Sequence, residues 1–205
     1  MVRRVIAVSA ICLALGVMVA AQGTARPASP RGSAATQTGG TYAGNNYQGG
    51  KWIEITYGAP IKRGRELWGA GAEYGKLVIG GAPVWRAGAD QTTRLKTEVP
   101  LVINGKTVAP GEYSVFIDLK PNAWTLIVST WAHQTSYQPD NKAALWGAYN
   151  YTADKDVVRA PMTLAALPVS VDQLVWQLAD VTNAGGKLAI MWDKVLATTP
   201  FTIGR

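Results

Sequence analysis

Short segments of alternating residues, each ended by turn residues, constrain the fold of this chain more than any other feature. In the first such segment Ile53, Ile55 and Tyr57 alternate with Trp, Glu and Thr, and Gly and Pro follow closely. A period of two is the pattern of a β-strand with one buried face. The pair Asn104-Gly105 separates two further short apolar runs. It supplies the two positive φ angles of a type I′ turn and predicts a tight hairpin.

Segments of this kind recur at close spacing along the chain. The predicted strands include residues 52–57, 92–99, 101–103, 106–108, 112–119, 124–131, 157–164, 173–180 and 187–194, with a last strand near 195–201. We therefore predict an all-β fold, an antiparallel β-sandwich or jelly roll of about nine short strands.

The beginning of the chain has the pattern of an export signal. Arg3 and Arg4 precede the apolar run Val5–Ala20, and small residues follow it. These features predict a signal peptide over residues 1–21, with a retained membrane anchor as the alternative, although the run is short for a spanning helix. The sequence therefore predicts a secreted or periplasmic bacterial protein with no membrane span after signal cleavage.

The segment after the predicted signal helix has little to bury. Residues 22–50 are mainly Gly, Ala, Ser, Thr and Asn, which predicts a flexible lead-in. A short strand near residues 34–38 is the alternative, added to a sheet edge. Residues 51–205 are predicted to form a single β-sandwich domain.

The composition argues against several kinds of site. The chain has one cysteine, Cys12 in the predicted signal, and one histidine, His133. The predicted mature chain is therefore cysteine-free, and we expect no thiolate nucleophile, no metal and no cofactor. No Gly-x-Ser-x-Gly motif indicates a serine triad. The 20 basic and 13 acidic side chains form no basic stripe on a known module, so nucleic acid is not an expected partner.

The stretch Val84–Asp90 does not follow the strand pattern and is the predicted centre of a functional site. It contains Trp85, Arg86 and Asp90. A guanidinium can hold a carboxylate or sulfate, and an aromatic ring can stack on a sugar. We therefore predict a ligand surface formed by Tyr57, Arg65, Tyr74, Trp85, Arg86, Asp90 and Tyr149.

Two other interpretations of these residues stay open at this point. Arg86 also fits a buried pair with Asp90 or Glu54 that holds the preceding loop to the sandwich. Asp90 and Glu54 are in addition the candidate acid and base of a hydrolase, provided that both face one pocket. If Arg86→Ala removes binding and keeps the fold, the ligand surface is favoured. If the domain then fails to fold, the structural pair is favoured.

A series of short motifs is similar to the motifs of one known family. In chain order they are Ser29-Pro30, Gln37-Thr38-Gly39, Tyr57-Gly58-x-Pro60, Gly64-Arg65, Tyr74-Gly75-Lys76, Val84-Trp85-Arg86-x-Gly88-Ala89, Pro110-Gly111-x-Tyr113-Ser114, Trp124-Thr125, Trp146-Gly147-Ala148-Tyr149 and a late Trp192. Together they resemble the exported bacterial family catalogued as domain of unknown function 2911. The resemblance covers nearly the whole chain after the predicted signal, and it implies a secreted or periplasmic β domain with no established activity. The chain departs from the family pattern at Ala59, where an arginine is common, and at Asp90-Gln91, where an amide and a glutamate are expected.

These observations predict an exported β-sandwich domain of unknown activity that binds a small molecule, a saccharide or an envelope protein without catalysis. The alternative is a hydrolase of saccharide or ester substrates with a carboxylate acid or base. A structural envelope protein without a ligand is the third hypothesis, and it predicts a concave surface that lacks Arg and aromatic side chains.

Overall fold

The structure of this protein is a computed structural model that describes residues 26–204. In this range the chain forms fourteen strands, one single-turn α-helix and two short 3₁₀ helices, Gly71–Glu73 and Ala153–Lys155. In chain order the strands and the α-helix are β1 (Arg31–Thr38), β2 (Thr41–Ala43), β3 (Asn46–Gln48), β4 (Lys51–Gly58), α1 (Lys76–Ile79), β5 (Thr93–Thr97), β6 (Leu101–Ile103), β7 (Lys106–Val108), β8 (Gly111–Asp118), β9 (Thr125–Ser129), β10 (Ala132–His133), β11 (Ala144–Leu145), β12 (Asp156–Pro161), β13 (Thr163–Thr182) and β14 (Gly185–Ile203).

Two sheets contain most of the strand residues in the described part of the chain. The larger sheet has six strands in the order β1-β4-β5-β8-β9-β12, and the smaller has four in the order β13-β14-β6-β7. Neighbouring strands in both sheets run antiparallel. The predicted all-β, sandwich-like architecture is therefore confirmed.

The main core lies between the inner faces of the two sheets. Alternation places Ile53 and Ile55 of β4 and Leu95 of β5 on the inner face of the larger sheet, where all three are fully buried. Leu188 and Ile190 of β14 belong to the same cluster and come from the smaller sheet. Each strand buries one face, which is why the period of two specifies a sandwich.

The tight hairpin predicted at Asn104-Gly105 is confirmed. Both residues have positive φ, at 48° and 72°, and β6 pairs antiparallel with β7 on either side of them. The turn chemistry alone was sufficient here, because few residue types tolerate two successive left-handed conformations.

The segment predicted as a flexible lead-in is strand over much of its length. β1 pairs with β4 from Arg31 opposite Gly58 to Thr38 opposite Lys51. Its side chains are small, but an edge strand is held by backbone hydrogen bonds and does not need a large apolar face. The alternative, an edge strand near residues 34–38, is therefore the one that the structure shows, over the longer range Arg31–Thr38.

The predicted signal peptide, residues 1–21, lies outside the described residues. Within residues 26–204, no helix has the length and apolar character needed to cross a membrane.

Two long strands take the place of several short predicted ones. β13 has 20 residues and β14 has 19, and their pairing shifts register between Ala166 and Val171 and again before Val175. Pro168 lies in the first irregularity; proline lacks an N–H and is tolerated in edge strands and bulges. The breaks in the alternating pattern therefore mark bulges in continuous strands.

A second, smaller core covers part of the outer face of the larger sheet. Phe116 of β8 and Ile127 of β9 are fully buried there against Val84, Leu145 and Tyr151. The chain between β9 and β12 is thereby held on this face, next to the polar outer surface of β4 and β5. This packing positions the walls of the candidate site.

An ion pair of low exposure ties the segment after β4 to β14. Lys62 Nζ lies 2.5 Å from Asp193 Oδ1, and Ser170 Oγ donates to the same oxygen at 2.7 Å. Burial raises the pKa of the Asp193 carboxyl, but the hydrogen bonds from Lys62 and Ser170 outweigh burial, and the pKa lies below its ordinary value of 3.8. The ionised carboxylate therefore stabilises the fold above about pH 4, and this stabilisation is lost as the pH falls through the lower, folded-state pKa.

We expect Asp193→Asn to lower the free energy of unfolding by about 1 kcal/mol at neutral pH. The difference from the unaltered protein should narrow as the pH falls below about 4, because the unfolded carboxyl is protonated first and the native one follows at its lower pKa. Urea denaturation at several pH values measures both effects. The control is Asp180→Asn, since Asp180 pairs with Lys187 at the surface and is 70% exposed, a setting in which a salt bridge contributes little. A loss of stability that does not change with pH would contradict a stabilising role of the ionised Asp193 carboxylate.

Candidate functional site

Trp85, from the stretch predicted as the site, closes the main core. Its N–H donates to the carbonyl of Ile117 at 2.9 Å, and its carbonyl accepts from the Ile117 N–H at 2.8 Å. Its ring is fully buried, with centroid distances of 5.9 Å to Trp68, 6.0 Å to Trp124 and 6.1 Å to Trp192. Trp85 thus packs where a ligand cannot touch it.

Arg86 joins two loops through contacts other than ion pairs. Its Nη1 donates to the main-chain oxygen of Asp90 at 2.8 Å, and its guanidinium lies 5.1 Å from the centroid of the Tyr149 ring, within cation–π range. It also covers Gly147, where an added Cβ would lie 2.5 Å from Nη1. Within residues 26–204 it forms no ion pair with Asp90 or Glu54. The predicted carboxylate pair is therefore replaced by a main-chain and aromatic contact.

A groove of about 690 Å³ opens beside these loops, where β1, β4 and β5 meet residues 89–92 and Trp146. Its walls carry two arginines, two carboxylates, an amide and an indole, from Arg31, Arg94, Glu54, Asp90, Gln91 and Trp146. The pairing register of the strands explains the floor of the groove. Thr56 of β4 lies opposite both Ser33 of β1 and Arg94 of β5, so these three residues lie side by side across the sheet. We call this depression the arginine groove.

The two arginines of the groove are held by neighbouring side chains. Arg31 Nη2 donates to Gln91 Oε1, and Arg94 Nη1 donates to Glu112 Oε1 at 2.9 Å. His133 Nε2 lies 3.0 Å from the same Arg94 nitrogen. Burial and the Arg94 charge lower the pKa of His133, and Glu112 offsets only part of this effect. The imidazole is therefore neutral at pH 7. Its Nε2 accepts a hydrogen bond from Arg94 and so helps to hold the guanidinium in position.

Glu54 and Asp90 are the two acidic residues, among those that the structure describes, that line the arginine groove. Glu54 is half-buried on β4, and Asp90 is exposed with a φ of 57°, a left-handed conformation that aspartate tolerates. Neither carboxylate forms an ion pair within residues 26–204. In the same range no group of three or more His, Cys, Asp and Glu side chains could hold a metal ion. The carboxylates are thus free to accept hydrogen bonds from a ligand.

Some of the residues predicted for the site lie together. Glu54, Tyr57 and Asp90 all line the arginine groove. Tyr149 lines a neighbouring depression that shares Trp146 with it. The stretch around Arg86 therefore borders the groove but does not form it.

Two predicted residues lie away from the groove. The hydroxyl of Tyr74 accepts a hydrogen bond from Trp124 Nε1 at 2.7 Å, beside the main core. Arg65 donates to the main-chain oxygens of Lys62 and Ile61 at 2.9 and 2.8 Å, within its own loop. Both side chains thus have structural contacts elsewhere.

Sequence reasoning missed Arg31, Gln91, Arg94 and Trp146. Arg94 alternates with buried Thr93 and Leu95, a signal that it faces outward but not that a groove lies above it. Trp146 stands in a motif noted for resemblance alone. Arg31 could not be found, because its segment was predicted to be flexible.

A comparison with protein-family models identifies the family. The family described as a protein of unknown function, DUF2911, matches residues 41–201. The chain belongs to this family. The DUF2911 match contains Glu54, Asp90 and Trp146, whereas Arg31 precedes it. No curated protein and no solved structure matches the chain.

Proposed function

We propose that this DUF2911 protein is an exported, noncatalytic domain that binds a saccharide in the arginine groove. The supporting observation is that Arg31, Arg94, Glu54 and Asp90 line one depression beside the ring of Trp146. Its volume of about 690 Å³ falls in the usual range for small-molecule sites, about 300–1,000 Å³. Export rests on the signal pattern of the first 21 residues.

The balance of charges favours a neutral, hydroxyl-rich ligand over an anion. The guanidinium groups of Arg31 and Arg94 donate, and the carboxylates of Glu54 and Asp90 accept. A sulfate or phosphate in this groove would be attracted by the two guanidinium groups and repelled by the carboxylates of Glu54 and Asp90, which form no ion pair within residues 26–204. Sugar hydroxyls both donate and accept, so a saccharide can satisfy both kinds of group.

Trp146 gives the groove an aromatic wall. It is half-buried, and the neighbouring Leu145 and Ala148 are held in the second core. Its indole is therefore fixed in place while part of the ring stays accessible. A fixed ring offers an apolar face to the C–H groups of a sugar at little entropic cost.

Calorimetric titration with oligosaccharides of glucose, xylose, mannose, N-acetylglucosamine and galacturonic acid tests the proposal. We expect at least one series to bind with a Kd of about 1 mM or tighter, and Trp146→Ala to weaken this binding about tenfold. The control is Trp52→Ala, because Trp52 is 48% exposed on β4 and lies outside the groove. Absence of binding to every series, or equal affinities for Trp146→Ala and the unaltered protein, would overturn the proposal.

A hydrolase is the second candidate, because Glu54 and Asp90 line the same groove. This is the condition that an acid and base pair requires. Reducing-end release from the saccharide that binds, and acetate release from its acetylated form, test this candidate. We expect no turnover by the unaltered protein. Turnover that is lost in both Glu54→Gln and Asp90→Asn would replace the binding proposal with the hydrolase.

A further inference from the structure

A second groove, of about 460 Å³, adjoins the arginine groove. Its walls carry aromatic rings and side-chain amides, from Tyr137, Tyr149, Gln134, Gln138, Asn141 and Asn150. We call it the amide groove. Trp146 lines both grooves, so the two depressions meet at its ring.

The amide groove is built by a loop that one buried side chain organises. Gln134 Nε2 lies 3.1, 3.1 and 2.9 Å from the carbonyl oxygens of Gln138, Asn141 and Ala144, which share its two hydrogens. Its Oε1 accepts from the N–H of Gln138 at 2.8 Å. These bonds fix the backbone on both sides of Tyr137. A ligand that contacts the Tyr137 ring therefore does not have to order a loose loop.

The rings of the amide groove are available for contact. Tyr137 is 64% exposed, and its ring lies 5.8 Å from that of Trp146 at an interplanar angle of 61°. Tyr149 is 41% exposed and packs on Arg86. Both grooves thus place planar polar groups, guanidinium and carboxylate in one and side-chain amides in the other, next to an aromatic ring.

The two grooves differ in charge. Among the residues that the structure describes, the walls of the amide groove carry a single cation, Lys142, and no carboxylate. Lys142 Nζ donates to the carbonyl of Pro139 at 2.7 Å. Amide groups donate and accept at once, so this groove also suits hydroxyl or acetamido groups. It does not suit a cation.

We propose that the two grooves form one extended site for a linear oligosaccharide, with Trp146 between neighbouring sugar units. The proposal rests on the proposed function, since it extends the same site. One short sugar occupies only one groove, whereas a chain of sugars contacts Trp146, the arginine groove and the amide groove together. The proposal therefore predicts that affinity rises with chain length and that the rise depends on the amide groove.

The test is calorimetric titration of the full chain with the disaccharide and the hexasaccharide of the series that binds. We expect the hexasaccharide to bind the unaltered protein at least about tenfold more tightly. Tyr137→Ala should remove most of this gain and leave the disaccharide affinity within about twofold. The matched control is Tyr42→Ala, because Tyr42 is 75% exposed on β2 and lines neither groove.

Three outcomes would overturn the extended site. The first is that the hexasaccharide and the disaccharide bind with equal affinity. The second is that Tyr137→Ala leaves the tighter binding of the hexasaccharide unchanged. The third is that Tyr137→Ala weakens the binding of both ligands equally, which would mean that Tyr137 acts only by supporting Trp146. In each of these cases disaccharide binding that depends on Trp146 would leave the arginine-groove proposal intact. If no saccharide of any length binds, both proposals fail.

Discussion

Trp85→Ala is expected to lower the free energy of unfolding by about 4 kcal/mol. The ring is fully buried and contacts three other indoles, of Trp68, Trp124 and Trp192. Its removal leaves a cavity that these rigid neighbours cannot fill by small movements. Since natural domains are stable by only about 5–15 kcal/mol, the variant should be marginally folded.

Urea denaturation followed by far-ultraviolet circular dichroism measures the Trp85 effect. The matched control is Trp52→Ala, because Trp52 is half exposed on the outer face of β4, and we expect it to change the stability by less than about 1 kcal/mol. Equal urea midpoints for the two variants would show that packing of the Trp85 ring among the other indoles does not contribute a large share of the stability.

Gly58→Ala is the second substitution for which we expect a large loss, of about 3 kcal/mol or more. The backbone of β4 passes the backbone of Ala89 so closely that a Cβ on Gly58 would lie 2.1 Å from the Ala89 carbonyl oxygen. The obstacle is main chain, so a change of rotamer cannot relieve it. The Ala89 N–H also donates to the Gly58 carbonyl at 3.1 Å, and this bond would be strained.

The control for this substitution is Gly50→Ala. Its nearest neighbours are the side chains of Tyr47 and Gln37, which can move aside, so we expect a loss below about 1 kcal/mol. The same denaturation experiment compares the two variants. Because Ala89 lines the arginine groove, Gly58→Ala should also weaken saccharide binding. Equal stability of the two glycine variants would contradict the close backbone crossing.

Local patterns were sufficient to predict the all-β fold class and the buried faces of strands such as β4, but not the full extent of β1, β13 and β14. Ile53 and Ile55 alternate with outward residues, and Asn104-Gly105 allows few conformations other than its turn. Both features depend on residues close in sequence. Such features are dictated by backbone geometry, so the fold class followed from them.

The site depended on partners that are distant in sequence. Trp85 and Arg86 are neighbours, yet one packs among indoles and the other on Tyr149, and no local pattern separates these environments. Arg31 reaches the groove only because β1 pairs with β4, and Trp146 only because the second core holds its loop on the sheet. Long-range packing therefore assembled a groove whose residues are scattered along the chain.

The central claim is that a saccharide binds where the arginine groove and Trp146 meet. Titration of isotope-labelled protein with the binding oligosaccharide, followed by amide and indole NMR shifts, tests it most directly. We expect the shifts to concentrate at Gln91, Arg94 and the Trp146 indole, and the amide shift of Arg65 to stay unchanged. Shifts confined to the loop of Arg65, with none at Trp146, would contradict it.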